Sequence, residues 1–403
     1  MHNYTTNHMK KSINNISRVL CALVLCTELV FSGCAEGPLG GNQNTEQDGN
    51  ENGDIVHNLD LSSATDLSSS GSANCYIVSN AGVYKFRTVQ GNSAESVGNV
   101  TFAEMLWESF GTSTVPECYD LIKSFCYRDG YIAFQTADTF KEGNAVIAAK
   151  DVNGNILWSW HIWLTDQPQG QVYYNNSGTM MDRNLGATSA TPGDVGALGL
   201  FYQWGRKDPF LGSSSIHFDS MAEAKSTIAW PSAVESDSNS GTIEYSIANP
   251  TTFIARNTGN SDWYYTGSSS TDNTRWTTSE SDKSIYDPCP SGWRVPDGGS
   301  NGVWAKAVGS SSDINAYPYD STNEGMNFSG TFGAGQTIWY PASGYLGYKD
   351  GGINYVGTGL FWSASPNGKS AYYLYFSSGG FISLSSGFGR ASGISVRCVQ
   401  AVD

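Results

Sequence analysis

Residues 286–296 read YDPCPSGWRVP, with Cys289 set between two prolines and followed at once by Gly-Trp-Arg. A cysteine so placed could be a catalytic thiol, a metal ligand or half of a disulfide. Few other groups could join it in chemistry. Only His57, His161 and His217 follow the N-terminal segment. They lie far apart and form no HxH or HExxH pair, so no metal site is expected. His161 sits in a tryptophan-rich strand pattern and reads as a hydrogen-bonded core residue. No G-x-S-x-G elbow and no G-x-x-x-x-G-K phosphate loop occurs. Two carboxylates could still meet in space as in glycoside hydrolysis, a separation that sequence does not specify. No catalytic residue is therefore assigned, and no cofactor is expected.

The residue types best suited to a ligand are aromatics in polar loops. The stretch SDWYYTGSSSTDNTRW (261–276) holds Trp263, Tyr264, Tyr265 and Trp276, and GYLGYKDGGINY (344–355) holds Tyr345, Tyr348 and Tyr355. Rings flanked by Asn, Asp and Ser offer apolar faces with hydrogen-bonding rims, suited to sugars or protein surfaces. The alternative is that these rings pin long loops onto the core. Arg183, Arg206, Arg294 and Arg397 stand beside aromatic or apolar residues. They read as fold-holding groups that pair with Asp182, Asp208 or Asp287 or lie on tryptophan faces.

The N-terminus sets the compartment. Lys10, Lys11 and Arg18 precede an apolar run, VLCALVLCTELVF (19–31), and then SGC ending at Cys34. This is the pattern of a secretory signal, too short for a comfortable membrane span. Ser-Gly-Cys resembles the bacterial lipobox, with Phe31 where Leu is usual. Cys34 is then the acylated first residue of the mature chain; the alternative is a plain signal peptide. Once Cys21, Cys26 and Cys34 are set aside, five cysteines remain: Cys75, Cys118, Cys126, Cys289 and Cys398. The number is odd, so at least one thiol stays free.

Composition bounds the rest. The chain has 403 residues, 46 of them Gly, with 13% aromatic and 15% charged residues and a net charge of −15. This mix favours short strands and tight turns over long helices. The acidic balance without a basic stripe argues against nucleic acid as a partner. Residues 1–33 read as the signal, and 34–72, rich in Gly, Asn, Ser and acids, as a flexible tether. An alternative lets residues 55–67 add a strand to a domain. Residues 73–170 read as a β-sandwich. Asn153-Gly154 joins two alternating runs, a strong hairpin signal, and Trp158, Trp160 and Ile162 oppose Leu157, His161 and Trp163, so both strand faces look buried. Residues 171–403 form a second module. Helices are predicted over 221–228, capped by Ser220, and over 302–308. The last fifty residues read as an antiparallel meander around Pro366-Asn367-Gly368 and Gly379-Gly380.

MDRNLGAT (181–188), LGLFYQWGRKDPF (198–210), YDPCPSGWRVP, LFWSAS (360–365) and SVRCV (395–399) together resemble the Fibrobacter succinogenes major paralogous domain. That family occurs on exported lipoproteins of Bacteroidetes-type bacteria and is similar to the C-type-lectin-like fold. The front module resembles the β-rich segment that often precedes it. The resemblance implies an α+β, C-type-lectin-like second domain in a β-rich two-domain protein. It also implies a disulfide between Cys289 and the final-strand Cys398. Closing a loop of that length could contribute on the order of 4–5 kcal/mol. The calcium-binding loop and Trp-Asn-Asp triplet of sugar-binding lectins are absent, so no calcium site is carried over. The functional expectation is a lipid-anchored protein of the outer membrane or cell surface that binds a glycan or a partner protein. A pilus tip or accessory component is the second reading, and a glycan-processing enzyme the third.

Overall fold

A computed structural model describes residues 59–256, 261–267, 272–277, 282–309 and 319–401. Eight strands build its first half: β1 (Thr65–Asp66), β2 (Cys75–Val78), β3 (Val83–Arg87), β4 (Phe102–Ser109), β5 (Ile122–Arg128), β6 (Tyr131–Thr136), β7 (Gly143–Lys150) and β8 (Ile156–Leu164). They form two four-stranded sheets, ordered β1-β3-β6-β5 and β2-β8-β7-β4. Phe86, Ile132 and Phe134 from one sheet meet Met105, Ile147, Trp158 and Trp160 from the other, with Phe86 and Trp160 ring centroids 5.2 Å apart. The β-sandwich is therefore present. The predicted hairpin joins β7 to β8. The Asp151 carboxylate accepts the N–H of Asn153 at 2.9 Å and of Asn155 at 2.8 Å, and Gly154 takes a φ of +81° that a side chain would resist.

Strand β8 is buried on both faces, as its pattern demands. Trp158, Trp160 and Ile162 enter the sandwich interior. Trp163 points into a second core with Met181, Leu200, Tyr202, Trp204 and Trp362. That core is shared between the halves, so no linker marks the expected boundary at 170/171, and the described residues lie in one compact unit. Asn74 adds a polar tie. Its Oδ1 accepts the Trp158 indole N–H at 2.9 Å, and its Nδ2 donates to the carbonyls of Ile285 and Asp287 at 2.7 and 2.9 Å.

The tether expectation is corrected for residues 59–72. Leu59 is buried, Leu67 packs against the sandwich core, and β1 pairs in parallel with β3. Lys85 Nζ also donates to the Leu61 carbonyl at 2.7 Å. Two leucines and an unpaired sheet edge suffice to order a segment whose composition is otherwise that of a linker. Residues 34–58, Cys34 and the signal segment lie outside the described residues.

The second half is β-rich, with two short α-helices among the described residues, Ile243–Ala248 and Val303–Val308. The second matches the expectation for 302–308. The helix expected over 221–228 does not form. There the backbone N–H groups of Ala224, Lys225 and Thr227 donate outward to the carbonyls of Gly212, Thr112 and Glu108, at 2.8, 2.9 and 3.1 Å. Tertiary partners replace the i−4 carbonyls a helix would need. Strands Thr358–Asn367, Ser370–Ser377 and Ile382–Gly389 form the predicted meander. The chain then returns to the opposite side of Thr358–Asn367, where Gly393–Ser395 lies parallel to it and antiparallel to Phe201–Gln203. One face of this sheet, with Phe361, Leu374 and Phe376, closes a core over Trp304 of the short helix. The other face carries Trp362, Tyr373, Tyr375 and Phe388.

Candidate ligand-binding face

Cys289 and Cys398 are both buried and joined in a disulfide, with Cα atoms 6.1 Å apart and 109 positions between them. The surrounding charges serve the loop. Lys283 Nζ donates to the carbonyls of Cys289, Pro290 and Trp293 at 2.7, 3.0 and 2.7 Å. Asp287 accepts the N–H of Cys289 and of Val295, each at 2.8 Å. Asp287 within YDPCPSGWRVP, and Lys283 just before it, fasten the turn that carries the disulfide, and with Cys289 bonded to Cys398 its thiol and metal readings fall away.

Cys75 and Cys126 are free thiols. Cys75 takes part in a constellation that the sequence did not reveal. Its Sγ lies 3.4 Å from His161 Nδ1, and His161 Nε2 lies 2.9 Å from Asn144 Oδ1. The order Cys–His–Asn is that of a thiol nucleophile with its base and orienting amide. Burial decides otherwise. All three residues are sealed in the core, where desolvation pushes the Cys75 thiol well up and the His161 imidazole down to about 3. Both groups are held neutral, and no substrate carbonyl can reach the sulfur. His161 is the hydrogen-bonded core residue its strand pattern suggested.

The loop tryptophans are also inside. Trp263 and Trp276 are both 0% exposed, which overturns their assignment to a ligand surface. The reason is a buried cation–aromatic stack. Arg275 lies 4.9 Å from the Trp204 and Trp263 rings, and Arg390 lies 4.2 Å from Trp204. Asp262 accepts hydrogen bonds from both arginines. The indole N–H of Trp263 donates to the Trp204 carbonyl at 2.8 Å, and that of Trp276 to the Arg206 carbonyl at 3.1 Å. Polar loop composition reflects internal partners here, not water. Tyr264 sits edge-on to Trp263 at 6.0 Å, and Tyr264 and Tyr265 are half-buried. The four motif arginines act within the fold, with partners partly different from those expected. Arg183 pairs with Asp182 and Asp166, and Arg294 with Asp297. Arg397 donates to Asn184 and stacks 3.8 Å from Tyr340. Arg206 donates to backbone carbonyls, including Thr252 at 2.8 Å.

The second loop behaves differently. Tyr345 and Tyr355 stack with centroids 5.7 Å apart and planes 4° from parallel, and Tyr355 is 62% exposed. From Tyr345 the aromatic run continues across the meander: Phe388 at 5.2 Å, then Tyr373 at 5.2 Å, Tyr375 at 6.1 Å and Phe381 at 5.7 Å, the last 61% exposed. Phe218, 64% exposed, lies against Gly357 beside Tyr355. Ser383 and Ser386 sit among these rings and hydrogen-bond each other at 2.5 Å. Tyr348 is turned aside and carries the Arg256 guanidinium 4.1 Å from its ring. The sequence placed Tyr345 and Tyr355 among the ligand candidates and missed Tyr373, Tyr375, Phe381 and Phe388. Their signal was the alternation in AYYLYF and the serine-rich strand beside it.

No family model, curated protein or solved structure matches the chain.

Proposed function

We propose that this protein is an exported, lipid-anchored binding protein of the cell surface, with no catalytic role, that takes a saccharide chain on the tyrosine-rich face of its second half. The observation that carries the reading is the run from Tyr355 through Tyr345, Phe388, Tyr373 and Tyr375 to Phe381, exposed at its two ends, half-buried at Tyr345, Phe388 and Tyr375, buried at Tyr373, and interleaved with serines. Rings supply faces for sugar C–H groups, and serine hydroxyls supply donors and acceptors at their edges. The Cys289–Cys398 link between the Gly-Trp-Arg turn and the final strand supports a C-type-lectin-like second half. Ser-Gly-Cys at Cys34 supports the lipid anchor.

Two experiments test this. The chain from Ala35 onward, probed on a glycan array, is expected to bind, and Tyr345→Ala and Tyr355→Ala to weaken that binding while the fold is retained. Binding only to protein ligands on a parallel array, or binding unchanged in both variants, contradicts the saccharide reading. Cys34→Ala is expected to abolish fatty-acid labelling and release the protein from membrane fractions.

A further inference from the structure

The hairpin made by Tyr345–Leu346 and Ile353–Asn354 has two sides. Tyr345 joins the tyrosine face. Leu346 turns the other way, into a small core with Phe210 and Phe253. Between this side of the hairpin and residues 210–233 lies a cleft of about 190 Å³. Phe210, Trp230, Phe253 and Leu346 wall it, and Glu223 and Asp350 are its charged lining residues. Phe253 stands edge-on to Phe210 at 5.4 Å, and Trp230 lies 6.0 Å from Phe210. The cleft is built closely: Gly351 has a φ of +71°, and a Cβ there would come within 2.9 Å of the Phe253 ring.

We infer that this cleft binds a small organic cation, an alkylammonium group of the quaternary type. The lining side chains offer aromatic faces and carboxylates, and Thr251 carries the only free side-chain donor among them. The Trp230 indole N–H is already committed to Ser226 Oγ at 2.9 Å, so its ring faces are what it has to offer. Asp350 uses one oxygen to accept the Gly352 N–H at 3.0 Å. Burial holds the Glu223 carboxyl above its usual range, only partly offset by the Ile353 N–H and by Lys225, and an added cation would relieve it. The Arg206 guanidinium lies 5.1 Å from Phe210, held in the core by backbone carbonyls. Trp230 and Phe253 are then the cleft rings with no cation of their own among the described residues. A neutral sugar would bring acceptors that these side chains cannot match. An alkylammonium matches apolar ring faces and negative charge at once. This site is separate from the tyrosine face and does not depend on it.

The test is calorimetric titration of the chain from Ala35 onward with choline chloride, at matched ionic strength. Its uncharged isostere 3,3-dimethylbutan-1-ol and methyl glucoside serve as comparisons, with saturation-transfer NMR to detect weak binding. Saturable choline binding is expected, with the isostere weaker by about tenfold or more. Glu223→Gln combined with Asp350→Asn keeps the cleft's shape, and is expected to weaken choline by about tenfold with an unchanged melting temperature. Trp230→Ala is expected to do the same, and circular dichroism checks that it folds. The proposal is overturned if choline gives neither heat nor saturation transfer. It is also overturned if the isostere binds as well as choline, if methyl glucoside binds better, or if the double charge variant binds choline unchanged.

Discussion

Asp287 holds the backbone N–H of Val295 at 2.8 Å with one carboxylate oxygen while the other takes the N–H of Cys289 at the same distance. One side chain thus spans the turn that carries the disulfide, and Lys283 closes it from beneath through three carbonyls. Asp287 is buried, so Asp287→Ala leaves two backbone donors without their acceptor and removes the counter-charge of the Lys283 ammonium, which keeps its three carbonyls. A loss of about 3–5 kcal/mol is expected, measured as the shift of the urea unfolding midpoint against the parent.

The disulfide fixes the same turn to the final strand. Cys289→Ala with Cys398→Ala is expected to lower stability by on the order of 4–5 kcal/mol. A variant that melts with the parent would show that the hydrogen bonds of Asp287 and Lys283 suffice.

Trp263→Ala and Tyr355→Ala are expected to separate packing from recognition. Trp263 is fully buried between arginines, so its removal is expected to cost about 3–5 kcal/mol. Tyr355 is 62% exposed, so its removal is expected to stay within about 0.5 kcal/mol. Thermal melts of both variants, beside the array measurement, decide which ring belongs to which role.

Two buried groups give stability opposite pH dependences. Glu108 accepts the N–H groups of Tyr119, Leu121 and Ile122 at 2.6, 3.1 and 2.8 Å, yet burial outweighs them and pushes its carboxyl up to about 7. Its contribution is full below its ordinary value of 4.5 and is lost as pH rises through about 7. His161 runs the other way. Burial lowers it from 6.5 to about 3, so its contribution is full above 6.5 and is lost as pH falls. Glu108→Gln removes the first term alone. The variant is expected to lose more stability than the parent on acidification from roughly pH 7.5 to 5, read from urea midpoints at each pH. Parallel profiles would show that Glu108 does not titrate there.

Much of this architecture was legible in residue order. The alternation through residues 143–164 demanded a strand buried on both faces, and β8 has Trp160 on one side and Trp163 on the other. Asn153-Gly154 and Pro366-Asn367-Gly368 marked turns because left-handed backbone needs such residues at those points. The disulfide came from the resemblance and was found in place. Tertiary structure decided the rest. Trp263 and Trp276 sit in polar sequence, but Asp262 and Arg275 of that same stretch meet Trp204 and Arg390 from segments far apart in the chain, and only that meeting makes burial affordable. Cys75, His161 and Asn144 come together across three strands, β2, β8 and β7. Residues 59–72 are ordered by an edge supplied by β3. Local pattern records what a residue needs from its neighbours in sequence. The partners that satisfy a buried charge, or that expose a tyrosine, are set by which distant segments the fold brings into contact.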